Sequence, residues 1–113
     1  MHEYSIVQSL VTSVEAAARG HERAVVHHVF IEIGELAGVD CVLLQTAYET
    51  FRQGTICEIA PLTIERIAAS WQCTNCGGLI ARGAILRCVA CNEPARLTSG
   101  DEIVLKRVEL EVA

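Results

Sequence analysis

Four cysteines dominate the chemistry of the second half of this chain. The stretch CTNCGGLIARGAILRCVAC places Cys73 and Cys76 two residues apart, then eleven residues, then Cys88 and Cys91 at the same spacing. A C-x-x-C turn aims two thiolates at one tetrahedral ion, and two such turns complete a closed four-sulfur site. The turns need residues that accept left-handed backbone after each pair. Gly77 and Gly78 follow the first and Asn92 the second. Structural zinc is the favoured reading; a rubredoxin-like iron site, a redox dithiol and four buried thiols are the alternatives. A closed site of this kind stabilises and positions, so function must reside elsewhere.

The other end offers a different donor set. The chain opens MHEYS. His2 is bulky, so Met1 is expected to escape aminopeptidase trimming. The Met1 amine, the His2 amide nitrogen and the His2 imidazole can then form fused chelate rings in one plane. That nitrogen-rich set suits Ni(II) or Cu(II), with the Glu3 carboxylate close by. The ordinary reading is an exposed terminus that does nothing. Asp40 is similarly double-sided. It precedes a helical pattern and makes a good N-cap, and it is also a candidate fourth ligand. His27 and His28 are neighbours in a strand and point to opposite faces, so they should not share an ion. His27 lies on an apolar face and reads as a core or edge imidazole, and His21 as a surface-turn residue. Cys41 and Cys57 read as small buried hydrophobes, with Cys41 a minor metal candidate.

The elements that must position these groups follow from periodicity. Residues 4–19 carry an apolar helical stripe of Ile6, Val7, Leu10, Val11, Val14 and Ala18, with Ser5 and Gln8 as a capping box and Arg19–Gly20 as stop signals. Residues 24–33 alternate as a strand, with Val25, His27, Val29, Ile31 and Ile33 on one face. A second helix follows Asp40, burying Leu44, Ala47, Tyr48 and Phe51 and ending near Gly54. A short strand covers 62–68, and a last strand covers 102–112. The first two strands, joined through a helix, suit a parallel crossover. The last two suit an antiparallel hairpin whose loop is the cysteine-rich stretch. The expected fold is α+β: a small three-stranded mixed sheet with two helices, plus an inserted zinc-ribbon-like four-cysteine satellite. Residues 1–69 and 98–113 form the first domain and residues 70–97 the second, which is too short to build a dry core without metal.

Bulk properties narrow the function classes. The 113 residues are 51% hydrophobic and 20% charged, which excludes a disordered chain. The net charge is −5, and Arg82, Arg87 and Arg96 are a thin basic footprint, so nucleic acid is not an expected partner. No apolar run approaches a membrane span, and a secretory signal's order of parts is missing, so the expected location is the cytoplasm. There cysteines favour metal over disulfides. No nucleophile–base pair or phosphate loop is present, so catalysis is not expected.

Together the opening MHE, the segments VFIEIGELAGVD and FRQGTICEIAPLTIE, and the paired C-x-x-C motifs before a terminal strand resemble the HypA/HybF family of nickel-insertion chaperones of [NiFe]-hydrogenase maturation. The resemblance runs over nearly the whole chain. It implies Ni(II) as cargo on His2, with Glu3, nearby backbone nitrogens and Asp40 contributing. It implies Zn(II) as a structural ion on Cys73, Cys76, Cys88 and Cys91. It also implies an accessory GTPase and the [NiFe]-hydrogenase large-subunit precursor as partners, extended to urease maturation factors because some members serve urease. Val89 stands where a proline often follows the third cysteine, and Asn92 where glycine is frequent. Both departures concern turn stiffness. The rival functions are a zinc-ribbon module acting on nucleic acid, a metal-dependent enzyme, and a nickel sensor or store.

Overall fold

In the computed structural model, residues 3–21, 23–81 and 85–112 are described. Helix α1 spans Glu3–Ala18 and buries Val7, Leu10, Val11, Val14 and Ala18. It is already helical at Glu3, so Ser5 lies inside the helix and the expected Ser5–Gln8 capping box does not form. Past Ala18 the chain turns through Gly20 at φ +90, where His21 N–H donates to the Ala18 carbonyl. Strand β1 follows at Val25–Gly34, helix α2 at Cys41–Phe51 and strand β2 at Leu62–Ile67. Strands β1 and β2 run parallel, with Val29 opposite Leu62 and Ile31 opposite Ile64.

The last strand, β6 at Ile103–Glu111, returns antiparallel to β1. The sheet order is therefore β2-β1-β6. The sheet is mixed and three-stranded, as expected, but β6 pairs with β1 and not with β2. The turn after β1 explains this. Gly34 N–H donates to Glu102 O, Glu35 N–H to Ile67 O, and Leu36 N–H to Gly100 O. The turn lies between the outgoing and returning strands and holds them apart until it ends. Beyond it they do meet, in a second sheet. Strand β3 (Ser70–Cys73) pairs antiparallel with β5 (Ala95–Ser99), and the short β4 (Leu79–Ile80) lies on the other side of β3.

Of two bulges in the β1–β6 ladder, one corrects the expected faces of β1. Val26 pairs with Leu110 and His28 with Glu109, so His27 is an extra residue. One extra residue shifts the in–out alternation by one. Val26, Val29, Ile31 and Ile33 consequently share the buried face, and His27 turns to solvent, 3.8 Å from Glu111. His27 is thus neither a core imidazole nor on the apolar face. A second shift falls at Lys106, which is extra on β6 between Phe30–Arg107 and Ile31–Leu105. It keeps Leu105, Val108 and Leu110 all against the core.

The core lies between this sheet and the two helices. Tyr48, Ile31, Leu44, Val7, Val14, Val26 and Val29 are fully buried. Each such aliphatic side chain contributes about 1.5–3 kcal/mol through burial. The second sheet is different: among the described residues of 70–97, Cys73 alone is buried, while Leu79, Ile85, Leu86 and Val89 are exposed. The radius of gyration is 18.1 Å, with extents of 57 × 27 × 16 Å. A compact chain of this length would have a radius of about 13 Å. No helix among the described residues is long and apolar enough to cross a membrane.

Candidate metal centres

The four-sulfur cluster is assembled by two turns on facing segments. Cys73 ends β3, and Gly77, at φ +72, lets the chain fold back so that Gly77 N–H reaches Cys73 O and Cys73 N–H reaches Gly78 O. Asn92, at φ +55, does the same after the second pair, where Asn92 N–H donates to Cys88 O and Cys88 N–H to Glu93 O. Gly77 and Asn92 thus occupy the left-handed positions expected of them, whereas Gly78 is not needed for that geometry. Thr74 ties the two turns together, donating through both its N–H and its hydroxyl to Pro94 O.

The sulfurs of Cys73, Cys76, Cys88 and Cys91 all lie within 4.8 Å of one another, and Cys76 Sγ is 3.8 Å from Cys88 Sγ. A tetrahedron of thiolates about 2.3 Å from a central zinc has edges of about 3.8 Å, so the donor set and its size fit that ion. Backbone N–H groups already point at the sulfurs. Asn75 and Cys76 donate to Cys73 Sγ at 3.3 and 3.4 Å, Gly78 to Cys76 Sγ at 3.4 Å, and Cys91 to Cys88 Sγ at 3.4 Å. The Asn75 side-chain amide adds a bond to Cys91 Sγ at 3.5 Å, a role that reading the cysteine spacing alone did not reveal. The Cys76 N–H, helped by that of Asn75, pulls the Cys73 thiol down to about 7. The Gly78 N–H favours the thiolate of Cys76, but the neighbouring sulfurs of Cys73, Cys91 and Cys88 outweigh it and push that thiol up to about 11. Four thiols this close cannot all ionise without a cation among them.

The second candidate centre lies at the start of α2. Asp40 is the N-cap of α2, and its Oδ1 accepts Val42 N–H at 3.0 Å and Leu43 N–H at 3.1 Å. Both bonds use the same oxygen; among the described residues Oδ2 carries none. Glu3, thirty-seven positions earlier, accepts the Asp40 N–H through Oε2 at 3.2 Å. The Glu3 carboxylate therefore meets the Asp40 backbone, so two residues that sequence reasoning singled out come together. The Tyr4 ring packs edge-on to Phe51 with centroids 5.2 Å apart, so the first turn of α1 touches residues at both ends of α2. Met1 and His2 lie outside the described residues, as does Arg82 of the thin basic footprint.

The remaining candidates separate cleanly. His28 Nε2 is 2.6 Å from Thr63 Oγ1, and its ring stacks on Phe30, away from both centres. Cys57 is fully buried, and burial pushes its thiol up, which keeps it protonated and inert. Cys41 packs half-buried against the core. A residue that sequence reasoning missed is Glu35, whose Oε1 accepts Ala69 N–H at 2.8 Å and fastens the turn after β1 to the start of the second sheet. Its place directly after Gly34 was the available signal. At that junction a Cβ on Gly34 would lie 2.1 Å from the Gly100 carbonyl carbon, and one on Gly100 would lie 2.5 Å from Ala69 Cα.

Comparison with known proteins gives one consistent answer. Residues 1–110 match the family profile described as hydrogenase/urease nickel incorporation, metallochaperone, hypA. The hydrogenase maturation factor HypA of Aquifex aeolicus is 39% identical over 114 residues, covering 99% of each chain. That of Shewanella oneidensis is 36% identical over 116 residues, covering 100% of this chain and 98% of the relative. The solution structure of the Ni metallochaperone HypA from Helicobacter pylori superposes with a TM-score of 0.74 at 30% identity, covering 100% of both chains. A second solution structure of a HypA protein superposes at 0.79, also at 30% identity, covering 98% of this chain and 97% of that one.

Proposed function

This chain belongs to the HypA family of hydrogenase/urease nickel-incorporation metallochaperones, and from that membership we propose that it binds Ni(II) at its N-terminus as cargo and delivers it to a [NiFe]-hydrogenase precursor. His2 supplies the imidazole, with the Met1 amine and adjacent backbone nitrogens completing a nitrogen-rich set, and the Glu3 and Asp40 carboxylates lie at its border. The observation that carries this reading is the bond from Asp40 N–H to Glu3 Oε2 at 3.2 Å. It holds the Glu3 carboxylate against the backbone of Asp40, thirty-seven positions away, which supports assigning both residues to one site. Asp40 keeps its cap through Oδ1, so Oδ2 remains for the cargo.

A donor must hold its ion firmly enough to select it and loosely enough to release it. A site at the exposed start of a helix, with backbone and side-chain donors mixed, allows an incoming ligand to attack the ion and take it. The family is described as one of metallochaperones, and this reading assigns no proton abstraction or attack on a substrate to any residue.

In this reading Cys73, Cys76, Cys88 and Cys91 hold structural zinc, which supplies the cross-link that the second sheet lacks in apolar packing. Residues 1–69 and 98–113 then act as the nickel-binding domain and 70–97 as the zinc-binding domain, working in the cytoplasm. The partners are an accessory GTPase, the hydrogenase large-subunit precursor and, by the family's breadth, urease maturation factors. The test is transfer. Nickel-loaded protein is incubated with the GTPase and the large-subunit precursor, and hydrogenase activity is read. Loaded native protein should mature the precursor where the His2→Ala variant does not. Nickel that stays bound throughout would favour a sensor or store instead.

A further inference from the structure

Strand β2 ends its sheet, with β1 on one side and no strand on the other among the described residues. Val29 N–H donates to Pro61 O, and Glu35 N–H to Ile67 O. Parallel pairing alternates, so the backbone groups of Leu62, Ile64 and Arg66 turn outward, away from β1. Among the described residues nothing pairs with them. The side chains of the same three residues share the helix side of the sheet. Leu62 is buried and Ile64 packs against the core, whereas Thr63 and Glu65, bonded to His28 and Lys106, lie on the other face. Between this edge and α2 runs a groove of about 410 Å3, lined by Cys41, Val42, Gln45 and Thr46 of α2 and by Ile64 and Arg66 of β2. Val42 is 72% exposed. Arg66 is the groove's one charge, and no ion pair among the described residues involves it.

We propose that this edge and groove dock an extended segment of a partner protein, which adds to the sheet beside β2 and sets a carboxylate against Arg66. Backbone bonds to Leu62, Ile64 and Arg66 supply affinity, and the side chains that alternate into the groove supply selection. An antiparallel occupant places its residues directly opposite those of β2. The position facing Ile64 takes an apolar side chain, which packs against the α2 wall at Val42 and Thr46. The position facing Arg66 takes Glu or Asp. The position between them lies on the other face, where Glu65 favours a lysine.

Arg66 also rejects the wrong occupants. An uncharged strand would cover a guanidinium and leave it unpaired, which is costly. A second copy of β2 fares no better. An antiparallel partner must match like faces, so that copy would bring only Leu62, Ile64 or Arg66 to the helix side, and none is a carboxylate. The occupant is therefore a segment of a different protein, acidic at one helix-side position and apolar at the next. Cys41, which lines the groove, directly follows Asp40, so the docked segment lies beside the N-cap of α2. The docking itself needs no nickel.

The probe is a capped peptide, acetyl-Glu-Lys-Val-Thr-Val-amide, whose glutamate faces Arg66 and whose first valine faces Ile64. It is titrated into the zinc-loaded, reduced full chain and followed by backbone amide chemical shifts. Saturable shifts should centre on residues 62–67 and 41–46. Replacing the peptide's glutamate by glutamine should weaken binding about fivefold, the worth of one partly exposed ion pair. Arg66→Glu, at an exposed position without an ion-pair partner, should melt like the native protein. It should also reverse the preference, binding a peptide with lysine in place of the glutamate more tightly than the original. No saturable binding at millimolar peptide would overturn the proposal. So would equal affinity for the glutamate and glutamine peptides, an unreversed preference in Arg66→Glu, or shifts centred on the outer edge of β6.

Discussion

Asp40 is asked to do two things, and two substitutions separate them. Its Oδ1 accepts Val42 and Leu43 N–H groups at the start of α2. Asp40→Ala removes that cap, which costs about 1 kcal/mol. For a chain of this size that corresponds to about 4 °C in Tm. Asp40→Asn keeps an oxygen in the same place and is nearly as good a cap. It loses only the charge against the helix dipole, a few tenths of a kcal/mol once salt screens it. The backbone N–H that Glu3 binds is untouched by either change. Melting of zinc-loaded protein should therefore fall clearly for Asp40→Ala and barely for Asp40→Asn. Nickel titration should not follow that order. If Oδ2 serves the cargo, both variants weaken nickel by about tenfold, equivalent to ~1.4 kcal/mol. Native nickel affinity in Asp40→Asn would refute the second role and leave Asp40 a helix cap alone.

Three further outcomes follow from the geometry. Tyr48→Phe removes a buried hydroxyl bond to Ala60 O at 2.7 Å, but Arg52 Nη1 still donates to that oxygen at 2.9 Å. The loss should be about 1 kcal/mol in urea unfolding, not the larger cost of an orphaned carbonyl. Burial also pushes the Tyr48 hydroxyl upward. The unfolded chain therefore ionises first, and native stability should fall as pH rises through the ordinary tyrosine range; identical alkaline limbs for native and Phe proteins would contradict this. Gly100→Ala, at φ +101 with its Cβ 2.5 Å from Ala69 Cα, should destabilise the chain far more than Gly20→Ala, which has a similar φ but open space; equal losses in thermal melts would show that the junction between the sheets is loose. Stripping metal with a strong chelator should release amide protection across 70–97 and leave β1, α1 and α2 protected, whereas retained protection in both regions would mean the second sheet stands without metal.

Much of this was legible in the sequence because its signals are local. The stripe on α1, the N-cap at Asp40, the parallel crossover and the four-cysteine spacing each need only a few residues to be read, and Asn92 was identifiable as a left-handed position from its residue type. What escaped reading depends on register. Nothing in VVHH announces that His27 is an extra residue, because a bulge is set by the partner strand, and its consequence is to send a histidine from the core to solvent. The sheet order escaped for the same reason. The strands expected over 62–68 and 102–112 do not pair with each other, because the Gly34–Leu36 turn lies between them; it is the segments beyond, β3 and β5, that pair. At the proposed cargo site, residue types suggested Glu3 and Asp40 separately, while only the folded chain shows that one accepts the other's N–H.

The most direct test of the central claim is metal content and nickel titration of untagged protein starting at Met1, beside its His2→Ala variant. One zinc retained by both and one nickel bound only by the native chain is the expected result. Equal nickel binding by the two proteins would contradict it and move the cargo site away from the N-terminus.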